Sequence, residues 1–245
     1  MLLYPAIDLM NGQAVRLRQG LAGEKTVYSD DPVAVALEWA ARGGDWLHVV
    51  DLDAAFTGVQ SNLETVQRIV EAIPIPVQVG GGLRDEAAIE RTLAAGVARV
   101  VVGTRAAESP DFITRAVQRF GGDKIAVGID ARDGMVAVKG WTETTAVAAA
   151  DLAGSVAADG VAAVIYTDIA TDGMLQGPNL DATKEMVRAT PCPVIASGGV
   201  SSALDLADLE SISGLAGAII GKALFDGRIT GNLRLALAEA RRARV

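Results

Sequence analysis

One cysteine, Cys192, and one histidine, His48, are all the thiol and imidazole metal ligands that the sequence offers. A single thiol excludes an internal disulfide and any cysteine cage for a metal, which makes a reducing cytoplasm the simplest compartment. Cys192 stands in TPCPVIAS just ahead of an apolar run and reads as a small packing residue. No histidine and carboxylate cluster has metal-ligand spacing, so neither a metal nor a cofactor is expected. Aromatic residues make up only 4% of a chain that is half apolar, so Ala, Val, Leu and Ile must interdigitate to fill the interior. Positive charge is short as well. The 22 Lys and Arg stand against 30 Asp and Glu, for a net charge of −8, which argues against a nucleic-acid surface. No apolar run approaches the ~20 residues of a membrane span, and MLLYPAID has no basic leader, so no membrane partner is expected. The arginines of ARRAR, Arg241, Arg242 and Arg244, read as the solvated face and positive cap of a last helix.

What the chain does have is alternation. Short strand-like runs, LLYPAID, WLHVVDLD, IPVQVGG, RVVVGT, KIAVGID, AAVIYTD, PVIASGG and GAIIGK, are separated by longer segments of helical period. Several of those segments open on Asp, Ser or Asn and close on Gly. Eight strand and helix pairs in 245 residues with no linker predict one α/β domain over residues 1–245, a closed parallel (β/α)8 TIM barrel. An open doubly wound sheet is the alternative.

The chain also repeats itself at about half its length. Asp8 finds its counterpart in Asp130, the Gly81–Gly82 pair in Gly198–Gly199, and Gly103 of VVVGT in Gly221 of AIIGK. Two halves of four strands closed into one barrel place these residues on the same C-terminal rim, where barrel active sites lie.

The glycine loops read as phosphate cradles. VGGGLRDEAA runs from a strand through Gly81 and Gly82, past Arg84, into a helix that begins near Asp85. Residues without side chains let backbone N–H groups approach an anion, and the helix end adds partial positive charge. Gly103 and Thr104 add a neighbouring loop. The second half copies the pair with Ser197, Gly198 and Gly199, and with Gly221 and Lys222. Two such sites predict a small-molecule substrate with a phosphate at each end.

Asp8 and Asp130 end apolar strands, and facing one another across the mouth they read as a general base and a general acid. Either could instead cap its own turn. An aspartate that donates a proton at neutral pH must sit about 3 units above its free value of about 3.9, a cost of about 4 kcal/mol that burial beside another carboxylate can supply. Asp51 with Asp53, and Thr167 with Asp168 and Asp172, are further rim candidates. His48, of opposite parity to Asp51, is expected to pack against the helix layer.

Taken in order, PAIDLMNGQAVRLRQG, HVVDLDAA, GGGLRD, VVVGT, VKGW, YTDIATDGMLQGPN, ASGGVSS and IIGKALF resemble, over the whole chain, the phosphoribosylformimino-aminoimidazole carboxamide ribotide isomerases of histidine biosynthesis. The resemblance implies an Amadori rearrangement of a bisphosphorylated aminoaldose to an aminoketose, in a monomer. It makes Asp8 the base at the second ribose carbon and leaves the proton donor open between Asp130 and Asp172, with Thr167 in support. It also places Trp141 on a mobile loop that stacks on the aminoimidazole, and Arg16 on the substrate. Two relatives offer rival readings. A dual-substrate isomerase also takes phosphoribosylanthranilate of tryptophan biosynthesis, but tends to carry Arg where this chain has Lys139. The related cyclase needs a glutaminase partner, and its first strand usually ends CLD rather than AID. A phosphosugar-binding module without chemistry is the non-enzymatic alternative.

Overall fold

The computed structural model describes residues 1–18 and 21–244. Eight strands, β1 (Leu2–Met10), β2 (Leu47–Asp51), β3 (Val77–Gly80), β4 (Arg99–Val102), β5 (Ile125–Arg132), β6 (Ala163–Asp168), β7 (Val194–Ser197) and β8 (Leu215–Ile220), pair in parallel with their successors. β8 returns to β1, with Leu2 opposite Gly217, so the sheet closes. Between them run α1 (Pro32–Ala41), α2 (Leu63–Ala72), α3 (Glu86–Ala94), α4 (Pro110–Phe120), α5 (Ala149–Ala158), α6 (Leu180–Ala189), α7 (Ala203–Glu210) and α8 (Leu233–Arg242). The chain is a (β/α)8 barrel.

Strand parity sorts the core into two layers. Leu3, Ile7 and Leu9 of β1, Leu47 and Val49 of β2, and Ile125, Val127 and Ile129 of β5 pack outward against the helices. Their neighbours Tyr4, Ala6, Val101, Ala126, Ala163, Ile165, Ile195 and Ile219 fill the barrel interior. Only the interior parity can deliver a side chain to the mouth.

Short polar residues set the helix starts. Asp85 accepts from Ala88 N at 2.7 Å at the head of α3, Asn179 from Ala182 N at 3.1 Å at the head of α6, and Ser202 with Asp205 forms a capping box on α7. Cys192 is buried, as expected of a packing residue. The terminal arginines depart from a purely solvated face: Arg241 pairs with Glu210, and Arg244 pairs with Asp208 and donates to Ala207 O, so they tie α8 to the end of α7. No helix among the described residues is long and apolar enough to cross a membrane.

At the mouth, each half adds a hairpin. Gln13–Arg18 and Leu21–Ser29 follow β1, with Val15 opposite Asp8. Met135–Val138 and Glu143–Ala148 follow β5, with Val136 opposite Ala131. These hairpins carry Arg16 and the Lys139–Trp141 turn over the barrel end.

Candidate active site

A cavity of about 730 Å³ opens at the C-terminal mouth, and the candidate site residues line it except for Asp51, Asp53 and Asp168. The first half contributes Asp8, Arg16, Gly81, Gly82, Arg84, Gly103 and Thr104, and the second contributes Asp130, Trp141, Thr167, Asp172, Ser197, Gly198, Gly199, Gly221 and Lys222. That volume falls within the usual range for small-molecule sites.

Asp8 and Asp130 share the interior parity of β1 and β5 but differ in their partners. Asp8 accepts from Arg16 Nη1 at 2.9 Å, while Arg16 Nη2 lies 3.3 Å from both oxygens of Asp172. The guanidinium thus bridges two carboxylates that start far apart in the chain. Burial pushes the Asp8 carboxyl up, the Arg16 charge pulls it back, and Asp172 adds to the rise. Arg16 in turn is raised above its ordinary value: burial opposes its charge, and the two carboxylates outweigh that.

Among the described residues, Asp130 has no cation as a hydrogen-bond partner. Trp141 donates its indole N–H to Oδ2 at 2.8 Å, and Thr167, opposite Asp130 in the β5–β6 register, supplies a hydroxyl. Burial raises the Asp130 carboxyl, those two bonds partly restrain it, and Asp172 adds to the rise.

The glycine loops surround this centre. A Cβ on Gly82 would stand 2.5 Å from Ala54 O, and one on Gly199 2.4 Å from Gly177 O, so both positions exclude side chains by backbone approach alone. Gly103 differs, because a Cβ there would meet nothing within 4 Å. Gly103 and Gly221 have matching backbone angles, φ −98° ψ −109° and φ −107° ψ −99°, and each leads into a short helix, Thr104–Glu108 and Lys222–Phe225. The first N–H groups of a helix lack intrahelical partners, so both loops offer donors. Lys222 donates to Gly173 O at 3.1 Å. Arg84 Nη2 donates to Ala55 O at 2.8 Å, which ties the first cradle to the loop after β2.

Two expectations need correction. His48 does not pack against the helix layer: it lines the cavity, with its ring bonded to Gln78 of β3. The error came from treating Asp51 as the inward residue of β2. Asp51 instead turns outward, caps the helix Leu52–Thr57 through Ala54 N at 3.0 Å, and accepts from Asn62 at 2.7 Å. Asp53 likewise accepts from Asn62, so this pair braces its loop. Asp168 does the same in the second half, holding Ala170 N and Asn179 Nδ2 at 2.9 and 2.7 Å. Sequence reasoning also missed Phe56, Arg105 and Leu175, which line the cavity from two short rim helices and a loop that have no strand parity to read.

A family model described as histidine biosynthesis protein matches residues 2–230. Curated proteins named 1-(5-phosphoribosyl)-5-((5-phosphoribosylamino)methylideneamino)imidazole-4-carboxamide isomerase are similar throughout. The one from Geobacter sp. (strain M21) is 51% identical over 100% of both chains. The one from Roseobacter denitrificans is 54% identical over 94% of this chain and 95% of its own. The one from Ruegeria pomeroyi is 54% identical over 97% and 98%.

Proposed function

The chain belongs to the histidine biosynthesis protein family, and on that premise we propose that it isomerises a phosphoribosylamino imidazole carboxamide from aminoaldose to aminoketose by an Amadori rearrangement. Its relatives carry the name of that isomerase. Two phosphates fit the two glycine cradles: Gly81, Gly82, Arg84, Gly103 and Thr104 hold one, and Ser197, Gly198, Gly199, Gly221 and Lys222 hold the other. The ribose between them lies over Asp8 and Asp130.

The observation that carries the assignment of roles is the placement of Arg16. A guanidinium bonded to Asp8 favours its carboxylate, the form a base needs, whereas Asp130 is half-buried with no cation among its described hydrogen-bond partners, and desolvation favours its proton, the form an acid needs. Asp130 therefore protonates the ring oxygen as the ribose opens, and Asp8 removes the proton from the second ribose carbon. Asp172, engaged on both oxygens by Arg16, sets the field between them. Thr167 orients Asp130, and Trp141 covers the imidazole and excludes water. One barrel over residues 1–245 suffices as a monomer, because every residue given a role lines a single cavity of one chain.

The single-substrate reading is preferred over the dual one because Lys139 is turned to Glu143, at 2.9 Å, rather than left for a substrate carboxylate. The purified chain should convert the aminoaldose without added metal or cofactor, and Asp8→Asn should lose turnover far more than binding. Normal turnover by that variant would remove Asp8 as the base. Appreciable turnover of phosphoribosylanthranilate would establish dual specificity instead.

A further inference from the structure

Beneath the carboxylates, the barrel interior differs between its halves. His48, Gln78 and Arg99 stand opposite one another in the register of β2, β3 and β4, and all three are buried. The matching row of the second half, Ile165, Ile195 and Gly217 on β6, β7 and β8, is apolar. A barrel that closes its floor with isoleucine on one side has no packing need for an imidazole, an amide and a guanidinium on the other. Each buried polar group is also costly unless bonded.

The three are bonded in a single possible order. Arg99 donates Nε and Nη2 to Gln78 Oε1 at 3.1 and 2.5 Å. A guanidinium accepts nothing, so the amide must turn its oxygen toward it. Gln78 Nε2, a donor, then lies 2.8 Å from His48 Nδ1. Nδ1 is the acceptor, and the ring proton sits on Nε2. Arg99 is itself held over the Trp46 ring at 4.4 Å and beside the Tyr4 hydroxyl at 3.5 Å, so the chain of bonds starts from a fixed point. Among the described residues the ring has no other hydrogen bond, which leaves Nε2–H to the cavity that His48 lines.

The surrounding charges favour the neutral ring. Burial first, then Arg99 of β4 and Arg16 of the first hairpin, push His48 down to about 3. Asp8, one pleat above on β1, is the carboxylate that lines that side among the described residues, and Arg16 already engages it. An imidazolium at this point would compete for Asp8 and weaken the base.

We propose that Gln78 and Arg99 are positioning residues that lock His48 as a neutral Nε2–H tautomer, a fixed hydrogen-bond donor to a ribose oxygen of the substrate beside Asp8. The donor role rests on the isomerase reading, whereas the lock is a property of the barrel alone. Because the chain has one histidine, a long-range proton–nitrogen spectrum of the uniformly ¹⁵N-labelled full chain reports this ring without assignment. It should show Nε2 protonated and Nδ1 bare, unchanged between about pH 5 and 8 where an ordinary histidine titrates. A cationic ring or an Nδ1–H tautomer overturns the lock, and this test needs no variant to fold.

Gln78→Leu should mix the tautomers and lower kcat/KM by roughly tenfold or more, the scale of one lost directed hydrogen bond. An unchanged ring spectrum in Gln78→Leu likewise overturns the lock. His48→Leu should lose at least as much activity, and His48→Gln, whose amide N–H can take the place of Nε2–H, should recover part of it. A His48→Leu enzyme as active as the unaltered chain overturns the donor role. If the unaltered chain does not isomerise the aminoaldose at all, the isomerase reading and the donor role fall together, while the spectrum still decides the lock.

Discussion

Trp141 donates its indole N–H to Asp130 Oδ2 at 2.8 Å, from a turn in which Lys139, Gly140 and Trp141 all have positive φ, +54°, +63° and +72°. For the two residues that carry a Cβ, this left-handed backbone costs about 1–2 kcal/mol each. The turn is held where it is by the Trp141 bond and by Lys139 N–H donating to Thr104 Oγ1 at 3.2 Å. Strain of this kind concentrates where geometry matters for function. Here it places a hydrogen-bond donor on a carboxyl that the proposed chemistry needs protonated.

Trp141→Phe keeps the ring and removes the donor. The indole bond favours ionised Asp130, so its loss raises the Asp130 carboxyl further. In the bell-shaped pH dependence of kcat/KM, the alkaline limb, which reports the acid, should move to higher pH while the acid limb stays in place. An alkaline limb that does not move would take the donor role away from Asp130 and give it to Asp172.

Asp130→Asn should fold more stably than the unaltered chain at pH 7. Burial, first among the causes, makes this carboxyl harder to ionise folded than unfolded. Its contribution to stability is therefore present at low pH and lost as pH rises through the raised folded value. Each unit of elevation is worth about 1.4 kcal/mol at neutral pH, and Asn avoids that cost while its Oδ1 still accepts from Trp141 and its Nδ2 can donate to the Thr167 hydroxyl oxygen. Urea midpoints should show the gap at pH 7 and its closure as the pH falls. A less stable Asn variant would mean that ionised Asp130 is not disfavoured in the fold.

The count of eight strand and helix pairs was enough to read the barrel and its closure, whereas strand parity alone left Asp8 and Asp130 open between an inward aim and a turn cap, because a strand offers only two directions and its last residue can also belong to the turn. The half-length repeat likewise placed the glycine loops correctly around one mouth. Parity failed at His48, since the reference chosen on its strand, Asp51, belongs to the turn that caps Leu52–Thr57. The same turn recurs at Asp168, whose carboxylate reaches Asn179 over the same separation of 11 residues that joins Asp51 to Asn62. That repeat was in the sequence and could have marked both aspartates as loop braces. The two mouth hairpins escaped notice because GQAVRLR and ETTAVA are short polar alternations beside stronger signals. The Arg16 bridge between Asp8 and Asp172 joins residues too far apart in sequence for any local pattern to reveal.

Arg16→Met should separate the two functions of that bridge. Without the guanidinium, buried Asp8 loses the charge that restrains its rise and keeps Asp172 as a like-charged neighbour. The acid limb of the kcat/KM profile, which reports the base, should therefore move up, and activity at neutral pH should fall about a hundredfold, the scale expected of a general base that is no longer ionised. Removing one partner of a largely buried ion pair should also cost about 3 kcal/mol in unfolding experiments. A stable variant with an unshifted acid limb would show that Arg16 serves only as a substrate contact.

The glycines offer the sharpest distinction between turning the chain and cradling phosphate. Gly82→Ala places a Cβ 2.5 Å from Ala54 O on a residue with φ +67°, so it should destabilise the fold whether or not phosphate binds there. Gly103→Ala meets nothing within 4 Å, so its cost is confined to a backbone of φ −98° and ψ −109° that alanine rarely adopts, about 1–3 kcal/mol of unfolding free energy. Its methyl group would then occupy space on the cavity wall at the head of Thr104–Glu108, where a phosphate must approach backbone N–H groups closely. KM should rise about tenfold or more, with kcat changed less. An unchanged KM in Gly103→Ala would place the first phosphate elsewhere along the rim.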